Sequence, residues 1–227
     1  MPPEERSLPD PGADAPSDPD PEDTPPRDPL AYERRFWGSG VVAGVDEVGR
    51  GPLAGPVVAA VVVLPPRTLV DGAADSKTLS PGDRERLARE VRRAARTVSL
   101  GAASVREIDR VNILQATTLA MRRALHRLDA SRVQVVVDGR PVRELGWEHE
   151  AVVGGDDRIH SIACASIVAK VCRDRLMRKL APRYPGYGWE TNVGYATPEH
   201  LDALRRLGPT PHHRLTFGGV QYELELG

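Results

Sequence analysis

The sequence predicts an α/β protein in which helices pack on a mixed β-sheet, followed by a smaller region of loops and helices. Two observations support this prediction. Two Val-rich runs, at residues 41–48 and 57–64, lie close together in the chain. Segments of helical periodicity then alternate with short apolar runs as far as residue 180. Early strands followed by alternating helices and strands are typical of a mixed sheet with helices packed on it.

The two Val-rich runs indicate neighbouring strands joined by a turn. Gly49-Arg50-Gly51-Pro52 breaks the first run, and Pro65-Pro66 closes the second. Because the first run is apolar up to Asp46-Glu47, we expect it to be mostly buried. Residues 97–103 are predicted as a third, shorter strand.

Helix-start signals organise the middle of the chain. Ser80 as an N-cap, with Pro81 at the first helical position, predicts a helix that runs to about Arg96. Ser104 and Glu107 have the spacing of a capping box, which begins another helical turn. A longer helix is predicted over residues 112–128, because their apolar side chains fall on one face.

The same signals continue to the C-terminus. Apolar runs at residues 133–137 and 151–153 predict two more strands, and helical periodicity returns from residue 161 to about 180. Residues 182–195 are rich in Gly, Pro and Tyr and are predicted as a loop. Thr197 caps a last helix that ends at Leu207, before Gly208-Pro209. Residues 182–227 are thus predicted as a loop and helical extension.

Charge divides the chain into two parts. Residues 1–30 contain nine acidic and two basic side chains and ten of the 21 prolines, so we expect them to form a disordered acidic tail. Because the tail carries −7 and the whole chain −1, residues 31–227 carry +6. A basic domain over residues 31–227 is compatible with a polyanionic ligand, although an excess of this size is also common on soluble proteins.

Composition limits the cellular location that we expect. No apolar run approaches the roughly 20 residues of a membrane span, and the acidic N-terminus lacks the features of a secretory signal. Cys164 and Cys172 are eight residues apart in one predicted helix, where they cannot form a disulfide. We therefore expect a cytoplasmic protein without a membrane partner.

Three acidic positions follow Val-rich strands directly. Asp46-Glu47 end the first strand, Asp138 follows residues 133–137, and Asp156 follows the run at residues 151–153. If these strands are neighbours in one sheet, four carboxylates converge at one edge. Carboxylates that lie close together repel one another unless a cation neutralises them. Hard oxygen donors without His or Cys favour Mg²⁺ or Mn²⁺ over zinc.

Each acidic position also has a structural interpretation. Asp138-Gly139 is a common turn dipeptide after a strand, and Glu47 alone fits a solvated strand edge. Asp157, next to Asp156, fits a cap of the following helix. The metal-site hypothesis therefore depends on all four carboxylates occurring together at strand ends.

An ordered set of motifs runs from about residue 40 to residue 218: Gly44-Val45-Asp46-Glu47-Val48-Gly49-Arg50-Gly51-Pro52, Asp75-Ser76-Lys77, Asn112-Ile113-Leu114-Gln115, Val137-Asp138-Gly139, Gly155-Asp156-Asp157-Arg158, Ala165-Ser166-Ile167-Val168-Ala169-Lys170 and His212-His213-Arg214. In order and spacing the set resembles the prokaryotic ribonuclease HII family. The resemblance implies a ribonuclease-H-like fold and endonucleolytic cleavage of RNA in RNA–DNA hybrids. It also implies cutting on the 5′ side of single ribonucleotides in duplex DNA, as in ribonucleotide excision repair.

On this resemblance, Asp46, Glu47, Asp138 and Asp156 are the catalytic residues and hold two divalent ions, Mn²⁺ or Mg²⁺. Asp156 is preferred to Asp157 because it has the Gly-Asp position, fourteen residues before Lys170. Water then attacks phosphorus in line, so that 5′-phosphate and 3′-hydroxyl ends are expected.

The resemblance also assigns substrate contacts. Gly49-Arg50-Gly51 corresponds to the loop that contacts the ribose 2′-OH, and Tyr195 to the tyrosine that senses the ribonucleotide and its junction with DNA. Lys77, Asn112 and Lys170 are further expected substrate contacts. A lysine on a helix or loop can instead be simply solvated, and Lys170 can instead brace the carboxylates. Arg173 is a candidate phosphate contact, whereas His212-His213 is interpreted as structural.

The chain departs from the family pattern at two positions. Val193 and Thr78 stand where many members carry lysine, which weakens the expected phosphate contacts. The rival hypotheses are another two-metal nuclease of the same fold, a non-catalytic nucleic-acid-binding module, and an interaction protein acting through the acidic tail. We expect a monomer. Gln221-Tyr222-Glu223-Leu224 is interpreted as a frayed end, with a replication-clamp contact as the alternative.

Overall fold

The computed structural model describes residues 28–73, 79–129 and 132–225. All but the last three residues of the acidic tail lie outside these ranges, and so do Lys77 and Thr78. The disorder expected of the tail and the substrate contact expected of Lys77 therefore stay predictions.

A mixed sheet forms the centre of the molecule. Within the described residues it has five strands in the order β3-β2-β1-β4-β5. The antiparallel half contains β1 (Val41–Val48), β2 (Val57–Val63) and β3 (Thr97–Ala103), and β4 (Val133–Asp138) and β5 (His149–Val152) run parallel to β1. The predicted mixed sheet is confirmed. Its parallel half brings the carboxyl ends of β1, β4 and β5 to one edge.

Helices cover both faces of this sheet. Helix α3 (Val105–Leu125) packs on one face of β2 and β3, and α4 (His160–Leu180) packs on the other face of β1 and β2, with α2 (Pro81–Ala94) beside it. The strand side chains alternate between the two faces and are Val and Ala almost throughout, so the sheet can be buried on both sides.

The predicted helix starts are formed as expected. Ser80 accepts a hydrogen bond from the Asp83 N–H (3.1 Å), and Ser104 and Glu107 form a reciprocal capping box. The sequence predicted two helical segments that meet at Asn112, and this is confirmed, because the backbone of α3 is non-helical there, at φ 69° and ψ 167°. The Asn112 side chain accepts the Gln115 N–H (3.1 Å) and so caps the second half of α3.

The C-terminal region packs against the end of α4. It contains α5 (Trp189–Asn192), α6 (Pro198–Leu207) and α7 (Gly218–Glu225), which enclose a small core around Trp189. The predicted loop at residues 182–195 is therefore partly helical. Residues 221–224 fall within α7, and the frayed end that the sequence indicated stays a prediction.

A short helix that the sequence did not predict, α1 (Ala31–Arg34), begins the domain. Its Glu33 is 7% exposed and accepts the N–H of Ser161, in the first turn of α4, at 2.8 Å. The Tyr32 hydroxyl donates to the side chain of Glu150, in β5, at 2.7 Å. Because Ile159, the N-cap residue of α4, provides no side-chain cap, Glu33 supplies one from elsewhere in the chain.

Two expectations from composition can be compared with the described residues. None of the helices in residues 28–73, 79–129 and 132–225 is long and apolar enough to cross a membrane. Cys164 and Cys172 are both free and both lie in α4, as predicted.

Candidate active site

The strand register brings the predicted carboxylates to one edge of the sheet. Val45 in β1 lies opposite Val137 in β4, so the next residues, Asp46 and Asp138, lie side by side near the carboxyl ends of adjacent parallel strands. Asp138 lies opposite Val152 at the end of β5, after which a 3₁₀ turn (Gly155–Asp157) carries Asp156. Because strand side chains alternate, Asp46 and Asp138 both face α4. The predicted convergence is present in the backbone arrangement.

Asp46 is the most deeply placed of the four carboxyl groups. It is 7% exposed, and Oδ1 accepts the N–H of Glu47 at 2.7 Å. The pKa of Asp46 is raised to about 8, mainly by burial and also by the neighbouring charges of Glu47 and Asp138, while a hydrogen bond from Ser166 on α4 opposes the rise. A carboxyl group that is costly to ionise on its own becomes a good ligand once a cation is close.

Asp138 is held by the turn that carries Asp156. Its Oδ1 accepts the N–H of Gly155 at 2.6 Å. Burial raises the pKa of Asp138, and the nearby charge of Asp156 adds to the rise, while backbone hydrogen bonds oppose it. A side chain at position 155 would meet Ile162 at 2.6 Å, so glycine lets this turn approach β4 closely. Asp156 itself is 9% exposed.

Glu47 faces a different set of charges. Burial raises its pKa, and the guanidinium of Arg50 opposes this through an ion pair at 3.2 Å. Asp138 adds a further unfavourable charge. Glu47, Arg50 and Asp138 line an open groove of about 710 Å³ whose other wall is α3, where Leu114 and Gln115 are exposed. The groove gives a long ligand access to the carboxylates.

The chemistry of the four side chains fits a hard divalent cation. All donors are carboxylate oxygens, and the mutual repulsion of Asp46, Glu47 and Asp138 is of the kind that a cation relieves. In residues 28–73, 79–129 and 132–225 no three His, Cys, Asp or Glu side chains are close enough as they stand to hold a metal.

The Gly49-Arg50-Gly51 turn contains two glycines in different situations. Gly49 has φ +91°, and a Cβ there would lie 2.2 Å from the Arg173 side chain, so the fold itself requires glycine. Gly51 has ordinary backbone angles, is exposed, and a Cβ there would meet nothing within 4 Å. Neither conformation nor packing within the described residues explains Gly51.

Tyr195 lies on the surface, 41% exposed, above two cationic side chains. The Lys170 ammonium is 5.7 Å from the centre of its ring, and the Arg173 guanidinium is 5.9 Å from it. Lys170 forms an ion pair with Asp174 at 3.0 Å and lines a cavity with Glu47 and Asp156. The alternative in which Lys170 braces the four carboxylates directly gains no support from this pairing.

Two of the expected contacts have other partners. Arg173 is fully buried and donates to the carbonyls of Ala54, Pro56 and Val193, so its interpretation as a phosphate contact is wrong. Asn112 is exposed but uses its side-chain oxygen to cap α3. Its expected substrate contact stays a prediction.

Sequence reasoning missed the residues that support this surface. Ser166 hydrogen-bonds Asp46, and Arg214 donates to the carbonyls of Gly49, Arg50 and Gly55. His213 is buried, as its structural interpretation predicted, and contacts His200 at 3.0 Å. Only the family motifs that contain Ser166 and Arg214 marked them, because their partners are distant in the chain.

A network of neutral histidines lies below Tyr195. The Thr210 N–H donates to Nδ1 of His213, so the proton of His213 is on Nε2, which donates to Nε2 of His200. The Nδ1–H of His200 donates to the carbonyl of Tyr195 at 2.8 Å. Burial lowers the pKa of His200, and it lowers that of His213 to about 3. Both rings are therefore uncharged at neutral pH.

Comparisons with known proteins agree with this architecture. A family model described as ribonuclease HII matches residues 43–220. Ribonuclease HII of Paramagnetospirillum magneticum is 56% identical over 200 residues, which cover 86% of this chain and 98% of that protein.

Solved structures show the same similarity. A ribonuclease H2 from Pyrococcus horikoshii superposes with a TM-score of 0.69 at 30% identity, over 82% of this chain and 98% of the other. A ribonuclease HII from Archaeoglobus fulgidus, solved in a complex with PCNA, superposes with a TM-score of 0.64 at 28% identity, over 77% and 92%. The fold, the family model and the identity over nearly the whole length of a relative together show that this chain belongs to the ribonuclease HII family of ribonucleases H.

Proposed function

We propose that this ribonuclease H uses Asp46, Glu47, Asp138 and Asp156 to hold two divalent ions and hydrolyse the RNA strand of RNA–DNA hybrids. The observation that carries the proposal is the meeting of Asp46, Asp138 and Asp156 at the carboxyl ends of β1, β4 and β5. Cleavage on the 5′ side of single ribonucleotides in duplex DNA is part of the same proposal.

The residues have distinct parts in this reaction. Asp46, whose charge interacts with those of both Glu47 and Asp138, would hold the two ions together with Glu47, Asp138 and Asp156. When bound, the ions would lower the pKa of the attacking water and offset the negative charge on the leaving oxygen. Water adds to phosphorus as the bond to the 3′-oxygen breaks, which leaves 5′-phosphate and 3′-hydroxyl ends.

Ribose selectivity requires protein groups near the 2′-OH, the atom that distinguishes RNA from DNA. The open space at Gly51 supports a close approach of a sugar to the Gly49-Arg50-Gly51 turn. Tyr195, exposed above Lys170, is suited to stack on a sugar or base at the junction with DNA. Ligands that are all oxygen atoms suit Mn²⁺ and Mg²⁺ alike. The proposed location of the enzyme is the cytoplasm, where its nucleic-acid substrate would be.

The test of this function is cleavage of a labelled DNA duplex with one ribonucleotide, with Mg²⁺, Mn²⁺ or EDTA. One metal-dependent cut on the 5′ side is expected, and none in an all-DNA duplex of the same sequence. Asp46→Asn and Asp138→Asn should each lower kcat by more than about a hundredfold, because even outer-sphere changes at metal sites cost about 10–100-fold. Equal cutting of the all-DNA duplex would favour the rival two-metal nuclease, and binding without turnover would favour the binding module.

The glycine pair gives a sharper test of ribose contact. Gly51→Ala should leave the melting temperature unchanged and lower the cleavage rate at a single ribonucleotide by about tenfold or more, because the methyl group occupies space kept for the sugar. Gly49→Ala is the matched control, and it should lower the melting temperature instead. Wild-type rates for Gly51→Ala would remove the proposed contact at this turn.

A replication-clamp partner is supported more weakly. The complex of the Archaeoglobus fulgidus relative with PCNA is a property of that protein. In this chain residues 221–224 fall within α7. A pull-down of a bacterial sliding clamp by the full chain, compared with a chain that ends at residue 217, would test for a clamp contact.

A further inference from the structure

Arg214 is a buried cation whose contacts are backbone carbonyls. It is 0% exposed, and its guanidinium donates to the oxygens of Gly49 (2.5 Å), Arg50 (2.9 Å) and Gly55 (3.0 and 2.8 Å). In the described residues it forms no ion pair with a carboxylate. An arginine in the interior normally has such a partner, because burying its charge is costly.

These bonds fix the direction of two peptide groups. In a trans peptide the C=O and the following N–H point in opposite directions. Because the carbonyls of Gly49 and Arg50 point inward to Arg214, the N–H groups of Arg50 and Gly51 point outward. Neither N–H donates to another group of the residues that the structure describes.

The outward N–H groups lie where a ligand can reach them. Gly51 is exposed and carries no side chain, and Arg50 is turned aside into its ion pair with Glu47 at 3.2 Å. Two adjacent N–H donors without an internal acceptor form a concave site for an oxygen atom. Because Arg50 is paired with Glu47, one of the four carboxylates, the N–H groups of Arg50 and Gly51 lie beside the carboxylates.

We infer that Arg214 is a positioning residue that holds the N–H groups of Arg50 and Gly51 toward the 2′-oxygen of the substrate ribose. The inference deepens the proposed function and depends on it. The requirement is for a planar fork of donors rather than for positive charge alone. Arg214 spans three carbonyls in two directions, whereas the single ammonium of a lysine cannot reach the same set without moving the turn.

A plain structural role is the alternative. If Arg214 only stabilises the fold, replacing it lowers the folded fraction and leaves each folded molecule fully active. The two roles therefore differ in kcat per folded molecule and in the environment of the Arg50 and Gly51 amides.

The decisive measurement uses the wild-type chain, labelled with ¹⁵N, in EDTA. A short DNA duplex with one ribonucleotide should move the amide proton resonances of both Arg50 and Gly51 downfield, and an all-DNA duplex of the same sequence should not. Equal shifts with the two duplexes, or no shift with either, would overturn the inference even if no Arg214 variant folds.

Variants then separate positioning from stability. Arg214→Lys, assayed well below its melting temperature, should lower kcat at a single ribonucleotide by about tenfold or more with KM within twofold, because a small misplacement is costly for catalysis. Ser104→Ala, which weakens the remote cap of α3, should keep wild-type kcat. Wild-type kcat for Arg214→Lys would contradict the inference, whereas a wild-type enzyme that cuts neither hybrid nor ribonucleotide would contradict the proposed function instead.

Discussion

The carboxylate edge, formed by Asp46, Glu47, Asp138 and Asp156, and the C-terminal support cluster differ in how their buried polar groups are compensated. We define the support cluster as Arg173, Trp189, His200, His213 and Arg214. At the edge, Asp46, Glu47 and Asp138 raise one another's pKa after burial has already done so. In the cluster, the arginines donate to carbonyls, and Trp189 Nε1–H and His213 both donate to His200.

The two regions therefore differ in what neutralises or compensates their polar groups. Buried polar groups with complete hydrogen bonding make a region rigid, whereas carboxylates whose charges repel one another are suited to hold a cation. The support cluster contacts the Gly49-Arg50-Gly51 turn and Tyr195, because Arg214 and His200 donate to carbonyls there. The support cluster thus stabilises the turn and the loop beside the carboxylates.

The largest expected effect is the stabilisation of the folded protein by a divalent ion bound to the carboxylates. Mn²⁺ or Mg²⁺ at about 1,000 times its Kd should raise the free energy of unfolding by about 4 kcal/mol, because it binds only the folded carboxylates. Thermal melts with increasing metal measure this stabilisation. Asp46→Asn should remove most of it, and a variant stabilised as strongly as wild type would show that the ion binds elsewhere.

The support cluster should respond to acid. The folded pKa of His213 is about 3, below the ordinary value of 6.5, so between these pH values the unfolded chain binds more protons. Stability is then complete above about pH 6.5 and falls as pH decreases, by up to about 1.4 kcal/mol per pH unit.

Urea unfolding in EDTA at several pH values would measure this slope. His160, whose pKa burial lowers to about 4, adds a slope of the same sign. His213→Gln should therefore make the slope shallower without abolishing it. An unchanged slope would show that His213 is not the group that acid titrates.

The smallest effect is expected far from both regions. Ser104→Ala removes the side-chain cap of α3 and should cost about 1 kcal/mol of stability, with wild-type dependence on metal and on pH. Urea unfolding compares the two proteins. A change in the metal response of this variant would mean that α3 couples to the carboxylates.

Local signals in the sequence predicted the strands, and so the strand ends near which Asp46 and Asp138 lie. Strand β1 ends at Asp46-Glu47-Val48 because the Val run meets a glycine turn, and parallel strands bring their carboxyl ends together. The order of the strands in the sheet has no local signature.

Contacts that join distant parts of the chain were not predictable in this way. Arg173 was expected to be a phosphate contact, and nothing beside it in the sequence marks the carbonyl of Pro56, 117 residues away, as its partner.

The cap that Glu33 provides to α4 shows that the folded unit includes residues ahead of the matched family region. The matched family region starts at residue 43, ten residues after Glu33. Helix α4 carries Ser166 and Lys170, and its first turn is closed by the Glu33 carboxylate. A chain shortened to the matched region would leave the Ser161 N–H without this acceptor, at the helix end nearest to Asp156. The folded unit of this nuclease therefore includes a segment ahead of the matched region, whose contact with α4 is structural.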